Sequence, residues 1–499
     1  MITDVGKNSL KKRQLLWGVF VSFGLALFVF SLMFIEDAAI SSSIILVYMC
    51  GIMLYVFLFT LGKKWIMSKL PESIVWFHPP LLINMWWVVA YLLPGLYILT
   101  QKKTFNTLSA WISIHPNYAV IGIFVFLLGM LVFWVVYGFS VVSLPSFGIL
   151  KRLSQRPLKL MSVIFVYVVG VVFYLVNITI SGVAYGSDTS RLSGLAMWLG
   201  YFQDTRFLAL AIVAIQIFKG KWSKGFLIGM VVLELLLGFS SGFMKPVFVL
   251  GLILLLSAVG ADVKVKVRTV LWSAIIIVTA FFIVVPVAED LRVQINSEAI
   301  DSNSFIQVIY ATNQAIEKTW IQTPRESLMF SLDRFARRQS FVAYTPGLIM
   351  QLTPSVISYQ GIMRIIAIPT FIVPRVIWNN KPVVTQGKWF SVAYLGLPSS
   401  TKSSSAMTFF GEGYIANGVL GVILVGVFMG IVMAFWYKNL ASTGLIAILV
   451  TVLPGFIDIE GDFTSAFVYS IQAPIFFVFV YWLITIPSSR NHHITRTQK

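Results

Sequence analysis

Apolar runs long enough to cross a lipid bilayer recur from one end of this chain to the other, and little else about its fold is left open by them. A stretch of about 18 or more apolar residues reads as a bilayer-spanning helix, because every backbone N–H and C=O inside lipid must be satisfied within the segment. The runs show none of the strict alternation of a barrel strand, so helices are the assignment. Of the 499 residues, 58% are hydrophobic and 11% charged, with a mean hydropathy of +0.87. So few polar groups cannot cover the surface of a water-soluble domain of this length.

Spans are expected near 15–35, 40–61, 81–100, 118–141, 160–181, 206–218 (with an earlier start allowed), 225–240, 243–260, 269–287, 406–436, 442–457 and 464–486. The first is too long for the core of a signal peptide and lacks a small-residue cleavage pattern, so it is read as a span. Lysine and arginine collect in cytoplasmic loops, which gives each connection a test. With the N-terminus inside, the inner segments hold Lys7, Lys11, Lys12 and Arg13, then Lys63, Lys64 and Lys69, then Lys151, Arg152, Arg156 and Lys159. Lys219, Lys221, Lys224, Lys264, Lys266, Arg268, Lys438, Arg490, Arg496 and Lys499 follow, giving 21 basic residues against the acids Asp4, Glu72 and Asp262. The opposite side receives Glu36, Asp37, Asp188, Asp204, Asp458, Glu460 and Asp462; among the short loops only the one with Lys102 and Lys103 breaks the rule. The formal charge of +18 is thereby explained by topology rather than by nucleic acid. The single cysteine, Cys50, can form no disulfide within the chain.

The expected architecture is therefore all-α and integral to the membrane. It has about twelve spans, both termini in the cytoplasm, and one large external loop holding short amphipathic and re-entrant helices. Residues 1–287 form a nine-span bundle, 288–405 the loop, 406–486 three C-terminal spans and 487–499 a cytoplasmic tail. The loop carries 11 basic residues, and from Arg334 to Lys402 there are eight with no acid among them. In 326–342, Leu328, Leu332, Phe335 and Val342 fall on one helical face and Arg334, Arg337 and Arg338 on the other, as in a helix lying along a membrane surface. Segment 362–378 is nearly all apolar, but Pro369 and Pro374 break it, so it is read as an interfacial or re-entrant piece folded on the bundle.

An acid-free basic surface attracts anions, and arginine forks match phosphate oxygens; anionic lipid headgroups are the plain alternative. Arg334, Arg364, Arg375 and Lys381 supply the loop's share, with Arg337 and Arg338 at its centre. Arg191, Arg206 and Lys245 reach the same side from other connections, Lys245 sitting just inside an apolar run. Glu412, between Gly411 and Gly413 at the outer end of the tenth span, is either a general base facing the loop or the partner of one of its arginines. Glu234 is a mid-span carboxylate, a functional candidate or a bundle-facing hydrogen-bond partner. Asp458, Glu460 and Asp462 lack the rest of a divalent-cation loop, only one external histidine (His115) is available for zinc, and no GxxxxGK[ST] loop is present. No metal, nucleotide or other cofactor is expected.

These residues resemble the O-antigen polymerase (Wzy-type) family. VPRVIWNNKP (373–382) followed by Gly387 resembles its Pro-Arg…Trp…Lys-Pro segment, FFGEGYIANGVLG (409–421) its Glu-x-Tyr…Asn-Gly…Gly helix start, and GFSSGFMKP (238–246) its short glycine-basic turn. The resemblance implies a glycosyltransferase of the bacterial inner membrane that polymerises undecaprenyl-diphosphate-linked repeat units on the extracytoplasmic face. Its partners would be the polyprenyl-diphosphate-linked glycan and membrane lipid, together with a flippase and a chain-length regulator. Glu412, Arg337 and Arg338 would be catalytic, and Arg191, Lys245, Arg334, Arg364, Arg375 and Lys381 would hold the diphosphate. The related O-antigen ligases use a histidine in the large loop, and 288–405 contains none. A flippase or other transporter shares the topology, but such proteins have short loops and two similar halves.

The topology predicts a labelling pattern. Cysteines placed near Lys151, Lys264 and Arg490 will react with an impermeant thiol reagent only from the cytoplasm, and those near Asn303, Lys388 and Asp462 only from outside. External labelling near Lys264 would overturn the twelve-span arrangement.

Overall fold

The computed structural model describes residues 78–80, 82–83, 116–181, 195–240, 244–263, 305–329, 345–373, 378, 386–399, 405, 407–458 and 461–485, with isolated positions between 279 and 294. Among the described residues every regular element is helical and none is a strand. In chain order these are α1 (Pro116–Ser143), α2 (Gly148–Ser154), α3 (Leu160–Ser181), α4 (Leu195–Phe218), α5 (Lys224–Ser240), α6 (Met244–Gly260) and α7 (Phe305–Ile316), which runs on as a π-helical turn, Glu317–Gln322. Then come α8 (Met363–Ile366), a 3-10 turn (Ile368–Ile372), α9 (Gln386–Ala393), α10 (Phe409–Thr443), α11 (Ile446–Phe456) and α12 (Phe463–Ile484).

Four of these contain stretches long and apolar enough to cross a membrane: Leu160–Asn177, Trp198–Phe218, Phe409–Thr443 and Phe463–Ile484. The pair Leu128–Ser143 and Gly148–Ser154, bent by 83°, makes five if counted as one span. Helices α1, α3, α4, α5, α6, α10, α11 and α12 occupy eight of the segments read as spans, though α4 starts at Leu195 and α10 runs on to Thr443. The expected spans at 15–35 and 40–61, and almost all of those at 81–100 and 269–287, lie outside the described residues.

Side-chain contacts set the helices' directions. Thr205 Oγ1 donates to Val166 O at 3.3 Å and Asn177 Nδ2 to Gln203 Oε1 at 2.9 Å, so α3 and α4 are antiparallel. The Tyr167 and Tyr174 hydroxyls donate to Met230 O and Leu237 O at 3.2 and 3.0 Å, so α5 runs parallel to α3. Lys438 donates to Val142 O and Leu144 O, and Asn439 Oδ1 accepts from Phe147 N at 2.8 Å, fastening the end of α1 to the end of α10. One end of the bundle thus gathers Lys151, Arg152, Lys159, Lys219, Lys221 and Lys224, all exposed. The N-terminal ends of α10 and α12 lie at the other.

The core is built around α4. From Leu208 to Ala214 no residue is more than 2% exposed, as suits a helix apolar on all sides. On α3 the outward ridge of Met161, Phe165, Val168 and Val172 is exposed, the pattern of a face meant for lipid.

Helix α10 is broken inside. Asn417 and Gly418 leave helical geometry, and Gly418 adopts φ 54°, a left-handed conformation that glycine tolerates best. The Gly413 and Gly421 backbones then press together so closely that a Cβ on Gly421 would collide with Gly413 O. The break frees the carbonyls of Ile415 and Ala416, and these accept from Gln360 N and Gly361 N at 3.0 and 2.9 Å. The strap that begins there continues through α8 and the 3-10 turn, where Pro369 stands and the α-helix has already ended. Ile365 and Ile368 of the strap, at 0% and 1% exposure, sink into the main core.

The α3–α4 contact is closest at Gly170, where a Cβ would lie 2.6 Å from Arg206 N. Gly170→Ala should therefore wedge the pair apart and destabilise by about 1–3 kcal/mol, seen as a lower melting temperature in detergent. Gly148→Ala, whose Cβ meets nothing within 4 Å, should leave melting nearly unchanged.

Candidate functional site

The start of α10 is crowded before it is charged. Thr408, at φ 69°, caps the helix by accepting from Gly411 N at 3.2 Å. A Cβ on Gly411 would meet Ile349 Cδ1 at 2.7 Å, and Gly413 is pressed on Gly421, so the residue between them, Glu412, enters the protein with no room to retreat. Its exposure is 0%. Helix α12 supplies its donors: Thr464 N–H at 3.0 Å from Oε2 and the Thr464 hydroxyl at 2.6 Å from Oε1. Asp462, the N-cap of α12, accepts from Ser465 N at 2.7 Å and holds that end in place.

Arg364 on α8 completes the group. Its Nη2 stands 3.7 Å from Glu412 Oε1, an ion pair too long for a hydrogen bond, and its Nε and Nη2 make no hydrogen bond. The guanidinium lies 5.3 Å from the centre of the Trp389 ring, within cation–π range. Burial pulls Arg364 below its ordinary pKa, while Glu412 and then Asp462 push it back up. Around it stand Tyr394, whose phenol meets Thr353 Oγ1 and is pushed by burial up to about 12, and the edge-to-face pair Tyr359–Tyr414. The described part of the site therefore carries one cation beside two carboxylates. Its open valences are the spare N–H donors of Arg364, which can take an oxygen of an anion or of a hydroxyl.

Of the residues singled out from sequence, the structure brings Glu412 and Arg364 together. Lys388 is exposed on α9, and Lys245 stands in the first turn of α6. Arg191, Arg334, Arg337, Arg338, Arg375, Lys381 and Lys402 lie outside the described residues, as does Glu460. Among the described residues no three metal-ligating side chains converge.

One placement is corrected. Arg206 was expected on an external connection, but it sits midway along α4, 3% exposed, with Nη1 3.2 Å from Glu234 Oε2. The reason is the earlier start of α4, which carries Arg206 inside the bundle. Tyr174 and Phe207 face its guanidinium at 4.0 and 4.6 Å. Glu234, the mid-span acid, is thus one half of a buried ion pair. Sequence reasoning did not single out Thr464, 52 residues from its partner Glu412, because no local pattern links them. The spacing of Asp462 and Ser465 does carry a helix-cap signal, legible in retrospect.

The described residues define an all-helical fold, with four helices long and apolar enough to cross a membrane and a charged group buried near a break in one of them. A family model described as a domain of unknown function (DUF8712) matches residues 171–442, more than half of the chain, and the protein belongs to that family. No curated protein and no solved structure matches the chain.

Thr464 gives a direct test of how Glu412 is held. Thr464→Val keeps the N–H and the shape but removes the hydroxyl, leaving Glu412 Oε1 with only the distant Arg364. Stability should fall by about 1–3 kcal/mol, read by thermal melting in detergent. An unchanged melting curve would show that the hydroxyl adds nothing to the burial of Glu412.

Proposed function

We propose that the protein polymerises polyprenyl-diphosphate-linked oligosaccharide repeat units at the extracytoplasmic face of a bacterial inner membrane. In this reading the chain has about twelve spans, both termini are cytoplasmic, and the large loop lies outside. The observation that carries it is Arg364, held against Glu412 and Trp389 where the broken helix, the strap and the start of α12 meet, with guanidinium donors unused. A basic loop and an adjoining carboxylate are what the chemistry requires. The bond between the growing glycan's anomeric carbon and its diphosphate breaks, and a bond from that carbon to an acceptor hydroxyl forms. The hydroxyl proton passes to Glu412, and the lipid diphosphate leaves with the electron pair. Arginines stabilise the charge that develops on the leaving group. Arg337 and Arg338 are assigned there, with Arg191, Lys245, Arg334, Arg364, Arg375 and Lys381 as binding groups. The energy is stored in the donor bond, so neither nucleotide nor metal is needed. The Thr464 hydroxyl occupies the position on Glu412 Oε1 that an acceptor hydroxyl would take over.

A second reading, a transporter of lipid-linked glycans, is favoured by the Arg206–Glu234 pair, since ionisable groups buried among membrane helices often mark transport pathways.

Glu412→Gln separates the two. It keeps size and most hydrogen bonding while removing the charge and most of the proton affinity. As a polymerase, the variant should be made and leave cells with single-repeat glycan and no long chains, whereas a purely structural Glu412 would lower the amount of folded protein. A transport defect would strand the repeat unit on the cytoplasmic face, with no capped single-repeat product outside. Three measurements in one strain decide: protein level, repeat units on the outer face, and chain length. Normal chains would remove Glu412 from the mechanism.

A further inference from the structure

The strap that carries Arg364 is pinned at both ends, and the second pin stands eight residues, about two turns, along α12 from the Thr464 that meets Glu412. At its start, Gln360 N and Gly361 N donate to the carbonyls freed by the break in α10. At its finish, Gln472 of α12 donates from Nε2 to Ile372 O at 2.7 Å. Ile372 ends the 3-10 turn, and a carbonyl at a helix end has no partner within its own helix. The Gln472 amide is in turn oriented, since its Oε1 accepts from the Tyr201 hydroxyl at 2.9 Å. An amide can flip end for end, but the Ile372 carbonyl only accepts and so draws Nε2 towards the strap, and the Tyr201 hydroxyl donates to the oxygen left facing it. Tyr201 is itself 5% exposed on α4 and packs on Trp198 and Phe476. A path of two hydrogen bonds thus runs from the central helix to the segment bearing Arg364.

We propose that Gln472, oriented by Tyr201, is a positioning residue for Arg364. It fixes the far end of the strap so that the guanidinium stays between Glu412 and Trp389. The Gln472 amide bonds to the Ile372 carbonyl and the Tyr201 hydroxyl, and it acts on Arg364 through that carbonyl. For the polymerisation chemistry this inference rests on the reading above; the mechanical claim stands apart from it. Ile365 and Ile368 anchor the middle of the strap by burial, so losing the amide should loosen the segment rather than detach it.

The test uses full-length protein in detergent with Cys50→Ser and one reporter cysteine, either Ile368→Cys in the strap or Val213→Cys in the core of α4, both positions within 1% of full burial. Gln472→Leu should raise thiol labelling at position 368 by about fivefold, the scale of one net hydrogen bond, and leave position 213 unchanged. Tyr201→Phe should act in the same direction, and the double variant should be no worse than Gln472→Leu alone, because Tyr201 works through Gln472. Labelling that stays low at 368, that rises equally at 213, or that adds fully in the double variant would overturn the proposal. Chain length in cells is scored separately. If Gln472→Leu loosens the strap but the unaltered protein makes no polymer, the positioning stands and the polymerase reading falls. If the strap does not loosen while polymer is made, the positioning falls and the polymerase reading stands.

Discussion

A carboxylate taken wholly out of water must be met by donors that replace the water it lost, and Glu412 is met by groups from two separate parts of the chain, the start of α12 and the strap. Losing one partner of a buried pair typically costs about 3–5 kcal/mol, a large fraction of a domain's whole stability. That magnitude ranks the features of this end of the molecule. Thr464 must be presented with both N–H and hydroxyl forward, which requires α12 to begin there, which the Asp462 cap secures. Arg364 must stand close, which requires the strap. The strap's amides in turn need acceptors, and the break at Asn417 and Gly418 provides them. Removing the break would leave Gln360 and Gly361 without partners, and removing the strap would leave two carbonyls of α10 exposed.

The two buried ion pairs are built differently. Arg206 and Glu234 approach to 3.2 Å and are each 3% exposed, with aromatic rings over the guanidinium. They offset each other's charge deep between α4 and α5, although Arg206 Nε and Nη1 and Glu234 Oε1 make no hydrogen bond. Arg364 and Glu412 stand 3.7 Å apart, with the arginine's side chain 15% exposed and Asp462 adding a second negative charge. The first pair has the character of a register device, in which charges choose one alignment of α4 against α5. The second is open on the arginine side, and openness is what a site needs. That difference in exposure is why the enzymatic reading is built on Arg364 and Glu412 rather than on the more deeply buried pair.

How far the residues themselves disclosed this can be judged element by element. Runs such as 160–181 and 464–486 declare a helix through length and hydropathy alone, and the described helices sit on them within a residue or two. The early end of the helix before Pro369 was legible because proline cannot continue a helix, and Glu412 was legible because a carboxylate beside glycines at a span's edge needs a reason. Arg206 was misplaced because polar residues at 203–206 look like a loop, whereas α4 absorbs them by pairing Gln203 with Asn177 and Arg206 with Glu234. Thr464 and Gln472 were silent because their partners are 52 and 100 residues away and nothing local marks them. Local periodicity reports which face of a helix is apolar. It does not report which neighbour will supply a donor.

The route from α4 to Arg364 gives the central helix a part in the site that its sequence would not assign. Tyr201 and Arg206 are five residues apart on α4, roughly one and a half turns. The ion pair at Arg206 fixes the helix's rotation and height against α5, and the phenol at Tyr201 carries that setting to Gln472 and so to the end of the strap. Between Leu208 and Ala214 the same helix is packed on all sides and has no freedom to slide. A site at the edge of the bundle is thereby tied to a helix buried on all sides. Only a few polar contacts are needed for this, because each one bears on a helix that cannot move to evade it.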